Sequence, residues 1–184
     1  MNRTPFSLKP FLPLPTAHIP KVEISGDIGR CSDGFAIRYL FVDPLGKTSI
    51  PVRADVPLRR HGLWEETCFE FFLAVKNSPS YWEFNLSPSG HWNVYRFSEY
   101  RQNMQEETRF SSLPFDIRVL SSGGLSLALE MDLGIFMKRG LPLEVGVSAV
   151  IRQKDGNVTY WALSHAGRQA DFHRRDGFAV ECKA

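Results

Sequence analysis

Apolar and polar positions alternate with a period of two along most of this chain, the pattern of strands with one buried face. The clearest run is FAIRYLFV at 35–42. Similar runs predict strands at 22–31, 47–53, 66–75, 81–86, 92–97, 115–120, 125–131, 143–152, 158–164 and 178–182. Turn chemistry separates them: Asp43–Gly46 with Pro second and Gly fourth, Pro88–Gly90, Ser121–Gly124, and Lys154–Asn157 around Asp155-Gly156. Gly26 and Gly29 weaken the first strand or mark a bulge. Helix is scarce. Asp132 can cap one or two turns at 133–139, and the polar segment 98–109 is a short helix capped by Ser98 or a long loop. About ten short strands with turns between them predict an all-β fold, an antiparallel β-sandwich of the jelly-roll or immunoglobulin-like kind. Residues 1–20 hold prolines 5, 10, 13, 15 and 20 and read as an extended arm, with 21–184 as a single β-sandwich binding domain.

The densest stretch is 64–97, which carries three of the four tryptophans. The simplest register about Pro88–Gly90 sets Asn85 opposite Asn93 and Glu83 opposite Tyr95. Tyr81, Glu83, Asn85, Asn93 and Tyr95 then share one face. Trp82, Phe84, Leu86, Trp92 and Val94 share the other, which is continuously apolar and is assigned to the core. Each such side chain stabilises the fold by about 1.5–3 kcal/mol when buried. Strand 66–75 divides alike: Phe69, Phe71 and Leu73 inward, with Cys68, Glu70 and Phe72 outward, so Glu70 joins the polar face. A two-residue turn at Asp155-Gly156 aligns Val145, Val147, Ala149 and Ile151 with Tyr160 and Ala162 in the core. It sets Ser148, Val150 and Arg152 with Thr159 and Trp161 on the outer face. Trp64, at a loop end before its strand, is placed to overhang a cleft.

Length and charge narrow the classes. A chain of 184 residues buries a full core without disulfide or metal support. A net charge of +2 gives no case for nucleic acid or an anionic membrane, and no run of 18 apolar residues offers a membrane span. The N-terminal stretch MNRTPFSLKPFLPLPT has no continuous apolar core, so no secretory signal is expected. Cys31, Cys68 and Cys182 are odd in number and far apart. They fit free thiols in a reducing, cytoplasmic compartment rather than a disulfide framework, and no metal-ligand spacing appears.

No sequence motif is catalytic. Tyrosines interleaved with Glu and Asn make a surface able to stack on a sugar ring and hydrogen-bond its hydroxyls. Glu70 and Glu83 on adjacent strands could also lie at the separation of a glycoside-hydrolase pair. The segment with His165, Asp171, His173, Arg174 and Arg175 has the density of a ligand-contacting loop. Cys68 reads as a packed thiol.

Trp64, Glu65, Glu66, Glu70 and the run Tyr81, Trp82, Glu83, Phe84, Asn85 to Pro88, followed later by YWALSH and DFHRRDGF, resemble the DOMON-like domains, in the branch similar to family-nine carbohydrate-binding modules. The resemblance spans about residues 20–182. It implies a non-catalytic β-sandwich that binds a sugar or a haem. A sugar would be clamped between aromatic rings such as Trp64 and Trp161. A haem would need a Met and a His, from Met104 or Met131 with His165 or His173. The Glu65-Glu66 pair stands where calcium-carrying relatives usually have aspartates. A phosphorylated sugar would call on Arg59, Arg60, Arg174 and Arg175. The sequence thus predicts a small-molecule, sugar-like ligand and no obligate cofactor or metal. The expected contacts are Trp64, Glu70, Tyr81, Glu83, Asn85, Asn93, Tyr95, Arg152, Trp161, His165, His173 and Arg174. Haem-binding electron transfer, glycoside hydrolysis by Glu70 and Glu83, and a protein-interaction module using sheet edges or the proline-rich arm are the alternatives.

Overall fold

A computed structural model describes residues 2–12, 19–31, 34–121 and 123–182. Residues 13–18 of the proline-rich stretch, Ser122 of the 121–124 turn and the side chain of Cys31 lie outside that description. The strands are β1 (Asn2–Ser7), β2 (Lys9–Pro10), β3 (Glu23–Cys31), β4 (Gly34–Val42), β5 (Cys68–Val75), β6 (Tyr81–Leu86) and β7 (Trp92–Phe97). They continue with β8 (Gln105–Glu106), β9 (Asp116–Val119), β10 (Gly124–Asp132), β11 (Leu143–Arg152), β12 (Val158–Ala162) and β13 (Val180–Cys182). They form two antiparallel sheets, as the alternation predicts. One runs β1-β3-β4-β10-β9. The other runs β2-β12-β11-β5-β6-β7-β8, with β13 also paired to β11.

The sheets pack face to face through the alternating apolar positions. Phe35, Ile37, Tyr39 and Phe41 of β4 and Leu125, Leu127 and Leu129 of β10 meet Phe69, Phe71 and Leu73 of β5 and Trp82, Phe84 and Leu86 of β6 in one core. Phe35 stacks on Phe71 and Phe71 on Phe84, with centroids 5.4 and 4.4 Å apart. The Tyr39 hydroxyl crosses the core to donate to the Glu70 carbonyl at 2.7 Å, which gives a buried polar group its partner.

The proline-rich stretch is extended where it is described and enters both sheets: β1 edges the first and β2 the second. Prolines 5 and 10 sit on these edges, where the missing N–H costs least. The turns at Asp43–Gly46 and after Asp132 form as expected. Gly46 N–H bonds the Asp43 carbonyl, and the Asp132 side chain accepts from Gly134 N–H at 2.7 Å at the head of a 3-10 turn, Leu133–Ile135.

Two expectations fail, and the alternatives left open for 98–109 are decided in favour of the loop, each for an identifiable reason. Residues 47–53 are not the partner of β4, because β3 and β10 already take both its edges; they meet the second sheet through an isolated Thr48–Gln153 bridge, and the Ser49 carbonyl accepts from the Thr67 hydroxyl. Segment 98–109 is not a helix. Arg101 and Asn103 adopt left-handed φ of 54° and 52°, and the chain turns there before pairing briefly as β8. The second failure reorients a strand. The β11–β12 hairpin closes through Gln153 and Asn157, not through Lys154 and Asn157. Three residues, not two, make the turn, with Gly156 at φ 92°. The register pairs Ala149 with Trp161 and Val150 with Tyr160. One extra turn residue exchanges the faces of the whole strand. Trp161 therefore lies in the core, 4% exposed, and Tyr160 looks outward.

Candidate functional site

The outer face of the second sheet is not open to water. The register of β6 and β7 is the expected one, with Glu83 opposite Tyr95 and Asn85 opposite Asn93. Three segments fold over it. A 3-10 turn, Leu63–Glu65, brings Trp64 over the sheet; the chain after β7 brings Arg101 and Met104; the segment before β13 brings Phe172 and His173. Phe72, Ala74, Tyr81, Tyr95, Phe97 and Phe178 make a second, smaller apolar cluster under this cover, with Trp64 and Phe172 packed against it.

Between cover and sheet is a cavity of about 360 Å3, lined by Trp64, Glu70, Glu83, Phe97, Arg101, Met104, Val150, Tyr160, Ala170, Phe172 and His173. That volume lies in the range of small-molecule sites. A larger groove of about 770 Å3 crosses the outer face of the first sheet. Its central acid, Asp27, is held between Arg3 and Arg38, so its charges are matched within the fold.

Glu70 and Glu83 form the floor. In the β5–β6 ladder Glu70 is opposite Asn85 and Phe72 opposite Glu83, so the two acids are diagonal neighbours on one face. Both are buried, at 3% and 5% exposure. Ser148 donates to Glu70 at 3.3 Å and the Asn85 amide donates to Glu83 at 2.7 Å. Burial, opposed by the Asn85 hydrogen bond and by Arg101, raises Glu83 from an ordinary carboxyl pKa to about 7. Burial and then the neighbouring Glu83 charge push Glu70 well above the usual range. Around neutral pH the pair thus retains protons and can both donate and accept hydrogen bonds.

His173 stands beside them, its Nε2 3.7 Å from a Glu83 oxygen. Its Nδ1 lies 2.9 Å from the Tyr81 hydroxyl, whose oxygen accepts the Arg101 backbone N–H at 3.1 Å. Burial, aided by Arg101, lowers His173 to about 4, so the ring is neutral near pH 7. With the Tyr81 oxygen already accepting the Arg101 N–H, we assign the Tyr81 proton to the bond with Nδ1, which puts the His173 proton on Nε2, towards Glu83. Tyr81 itself is raised to about 12, chiefly by burial. Arg101 is paired with Asp171 at 2.8 Å, and Asp171 also accepts from the Tyr100 hydroxyl.

Of the residues expected from sequence to contact a ligand, Trp64, Glu70, Glu83 and His173 line the cavity. Tyr81, Asn85, Asn93 and Tyr95 share the face but lie beneath the cover, fully buried. They position other groups. The Asn93 amide donates to the Tyr95 hydroxyl at 2.8 Å, and that hydroxyl lies 2.9 Å from His61 Nδ1. Trp161 is on the wrong face and donates its indole N–H to Thr159. Arg152 is exposed and bonds the Glu65 carbonyl. His165 sits 2.8 Å from the Lys9 carbonyl, away from the cavity. Arg174 pairs with Asp176 on the surface.

The other offered groups also separate. Met104 shares the cavity with His173, whereas Met131 packs against the core. Arg59 lies over Trp92 and donates to Asn93 and to the carbonyls of Glu107 and Phe110, a strut between loops. Arg175 pairs with Glu144. Arg60 borders a different groove, beside His61 and His91. Glu65 and Glu66 are exposed, and no cluster of three or more His, Cys, Asp or Glu suited to a metal occurs among the described residues.

Tyr160, Arg101 and Phe172 were missed. The hairpin slip hid Tyr160, while Arg101 and Phe172 reach the cavity only through loop paths without periodicity. The alternation of aromatic and polar residues in DFHRR was the available signal for Phe172.

No protein-family model matches this chain, and no curated protein does. Among solved structures, a candidate carbohydrate-binding protein from Bacteroides uniformis is similar, with a TM-score of 0.64 at 13% sequence identity, covering 94% of this chain and 84% of that one. At that identity the likeness is one of fold: this chain folds as the same kind of two-sheet β-sandwich.

Proposed function

We propose that this chain is a ligand-binding β-sandwich whose cavity over β5 and β6 holds a carbohydrate or sugar-derived small molecule. The observation that carries the reading is the pair of buried carboxyls, Glu70 and Glu83, opening into a cavity with aromatic walls. Sugar hydroxyls both donate and accept, and a partly protonated carboxyl pair can do the same. Trp64 and Tyr160 line the cavity, and aromatic rings pack on the apolar side of a pyranose. The sugar-binding description of the Bacteroides protein with the same fold agrees with this reading. Titration of mono- and disaccharides, neutral and amino, followed by tryptophan fluorescence tests it. A saturable change that Trp64→Ala removes is expected. Flat titrations across the panel overturn the proposal.

A second reading has one observation in its favour. Two carboxyls on one face, one raised to about 7, are also the equipment of glycoside hydrolysis. Release of nitrophenol from aryl glycosides, abolished in both Glu70→Gln and Glu83→Gln, is its test. Absence of turnover across α- and β-linked substrates overturns it.

A further inference from the structure

We infer that the ligand of this cavity carries a basic nitrogen, as an amino sugar does, and that its ammonium sits between Glu70 and Glu83. The inference rests on the small-molecule reading above and names the class of ligand.

The argument begins with how the fold treats its other buried or half-buried acids. Asp27 is clamped by Arg3 and Arg38. Glu107 takes a forked contact from Arg109 and is held at a pKa of about 2. Glu144 meets Arg175. Each of these three has a guanidinium, and Asp43, 6% exposed, instead accepts the backbone N–H groups of Lys47 and Thr48. Glu70 and Glu83 are more deeply enclosed than Asp27 and lie next to each other, yet among the described residues no lysine or arginine ion pair reaches either. Their protein contacts are a serine hydroxyl, an asparagine amide and a histidine nitrogen 3.7 Å away. Two buried carboxyls without a cation disfavour the folded state, and a cation between them relieves that cost.

The rest of the lining agrees. Arg101, which borders the cavity, is paired with Asp171 and makes no ion pair with either acid, although its charge opposes the rise at Glu83. Trp64, Tyr160 and Phe172 line the space, and an indole is the best of the ring partners for a cation. A volume of about 360 Å3 suits one or two sugar rings. A metal ion is the competing cation. No cluster of three or more metal-ligating side chains is found among the described residues.

Binding must then displace a proton. The groups facing the site are Glu70, Glu83, His173, Tyr81, Cys68 and the Arg101–Asp171 pair. Of these the two acids hold protons that an ammonium would expel.

The test is calorimetric titration of the intact chain with glucosamine, galactosamine and mannosamine, each beside its N-acetyl and hydroxyl counterparts. At least one amine is expected to bind tenfold or more tightly than both counterparts. It should release protons, seen as a heat that varies with the ionisation enthalpy of the buffer. Glu70→Gln and Glu83→Gln should abolish the preference. Equal or tighter binding of the neutral counterparts overturns the amine while leaving the sugar reading intact. An unchanged amine preference in both variants also overturns it. No binding by any member of the panel overturns both.

Discussion

The Tyr81 hydroxyl stands 2.9 Å from His173 Nδ1 and ties β6 to the segment that covers the cavity. The same hydroxyl holds the Arg101 backbone N–H, so one phenol anchors two of the three covering segments. Tyr81→Phe keeps the ring stacked on Phe97 and removes both bonds. A loss of about 1–3 kcal/mol in stability is expected, measured by urea unfolding. Freed from Tyr81, His173 should also populate the other neutral tautomer, visible in its ring nitrogen shifts by NMR. An unchanged tautomer would refute the role given to Tyr81.

Glu83 and His173 oppose each other in pH. Glu83 is raised from 4.5 to about 7, so the stability tied to its protonated form is present below about pH 4.5 and is lost as pH rises through 7. His173 is lowered from 6.5 to about 4, so the stability tied to its neutral form is present above pH 6.5 and is lost as pH falls through 4. Each effect is on the order of 3 kcal/mol, and between pH 4.5 and 6.5 their slopes are opposite in sign. Glu70, also raised by burial, adds a second falling slope, so the parent protein should lose stability as pH rises through that window. Glu83→Gln removes one falling slope, so its dependence there should be shallower, and it should exceed the parent above pH 7. Chemical unfolding at half-unit pH steps measures both, and a Glu83→Gln curve parallel to the parent's would contradict the assignment.

The tryptophans separate by role. Trp161→Ala opens the core, and a loss of about 3–5 kcal/mol is expected. Trp64 is half-buried over the cavity, and Trp64→Ala should cost about 1 kcal/mol or less. Thermal unfolding ranks the two, and reversal of the order would place Trp161 outside the core.

The legible parts were those where alternation met a short turn. The β6–β7 hairpin could be read to the residue, because Pro88–Gly90 leaves no room for a slipped register and one face is unmistakably apolar. From that reading Glu70 and Glu83 fell on one outer face, and they are the floor of the cavity. What could not be read was the cover. Alternation says that Tyr81, Asn85, Asn93 and Tyr95 point away from the core. It does not say that segments from three distant parts of the chain will bury them. Arg101 and Phe172 lie on turns whose paths are set by tertiary contacts such as Arg101–Asp171, and no local pattern encodes those.

Trp161 was misplaced by one residue of turn, and that residue is testable. The β11–β12 connection needs a left-handed residue at Gly156, φ 92°, to close the Gln153–Asn157 pair. Nothing in the fold crowds a side chain there, since a Cβ at Gly156 meets no atom within 4 Å. The cost of Gly156→Ala is therefore conformational alone, about 1–2 kcal/mol, and Gly156→Asn should cost less because Asn tolerates this region. The pairing of Ala149 with Trp161 must survive in both variants, because a slip would turn Trp161 out of the core and Tyr160 into it. Tryptophan emission that stays blue-shifted while the unfolding midpoint falls is the expected outcome. A red shift in Gly156→Ala would mean that Gly156 sets the register itself, and with it the presence of Tyr160 at the cavity.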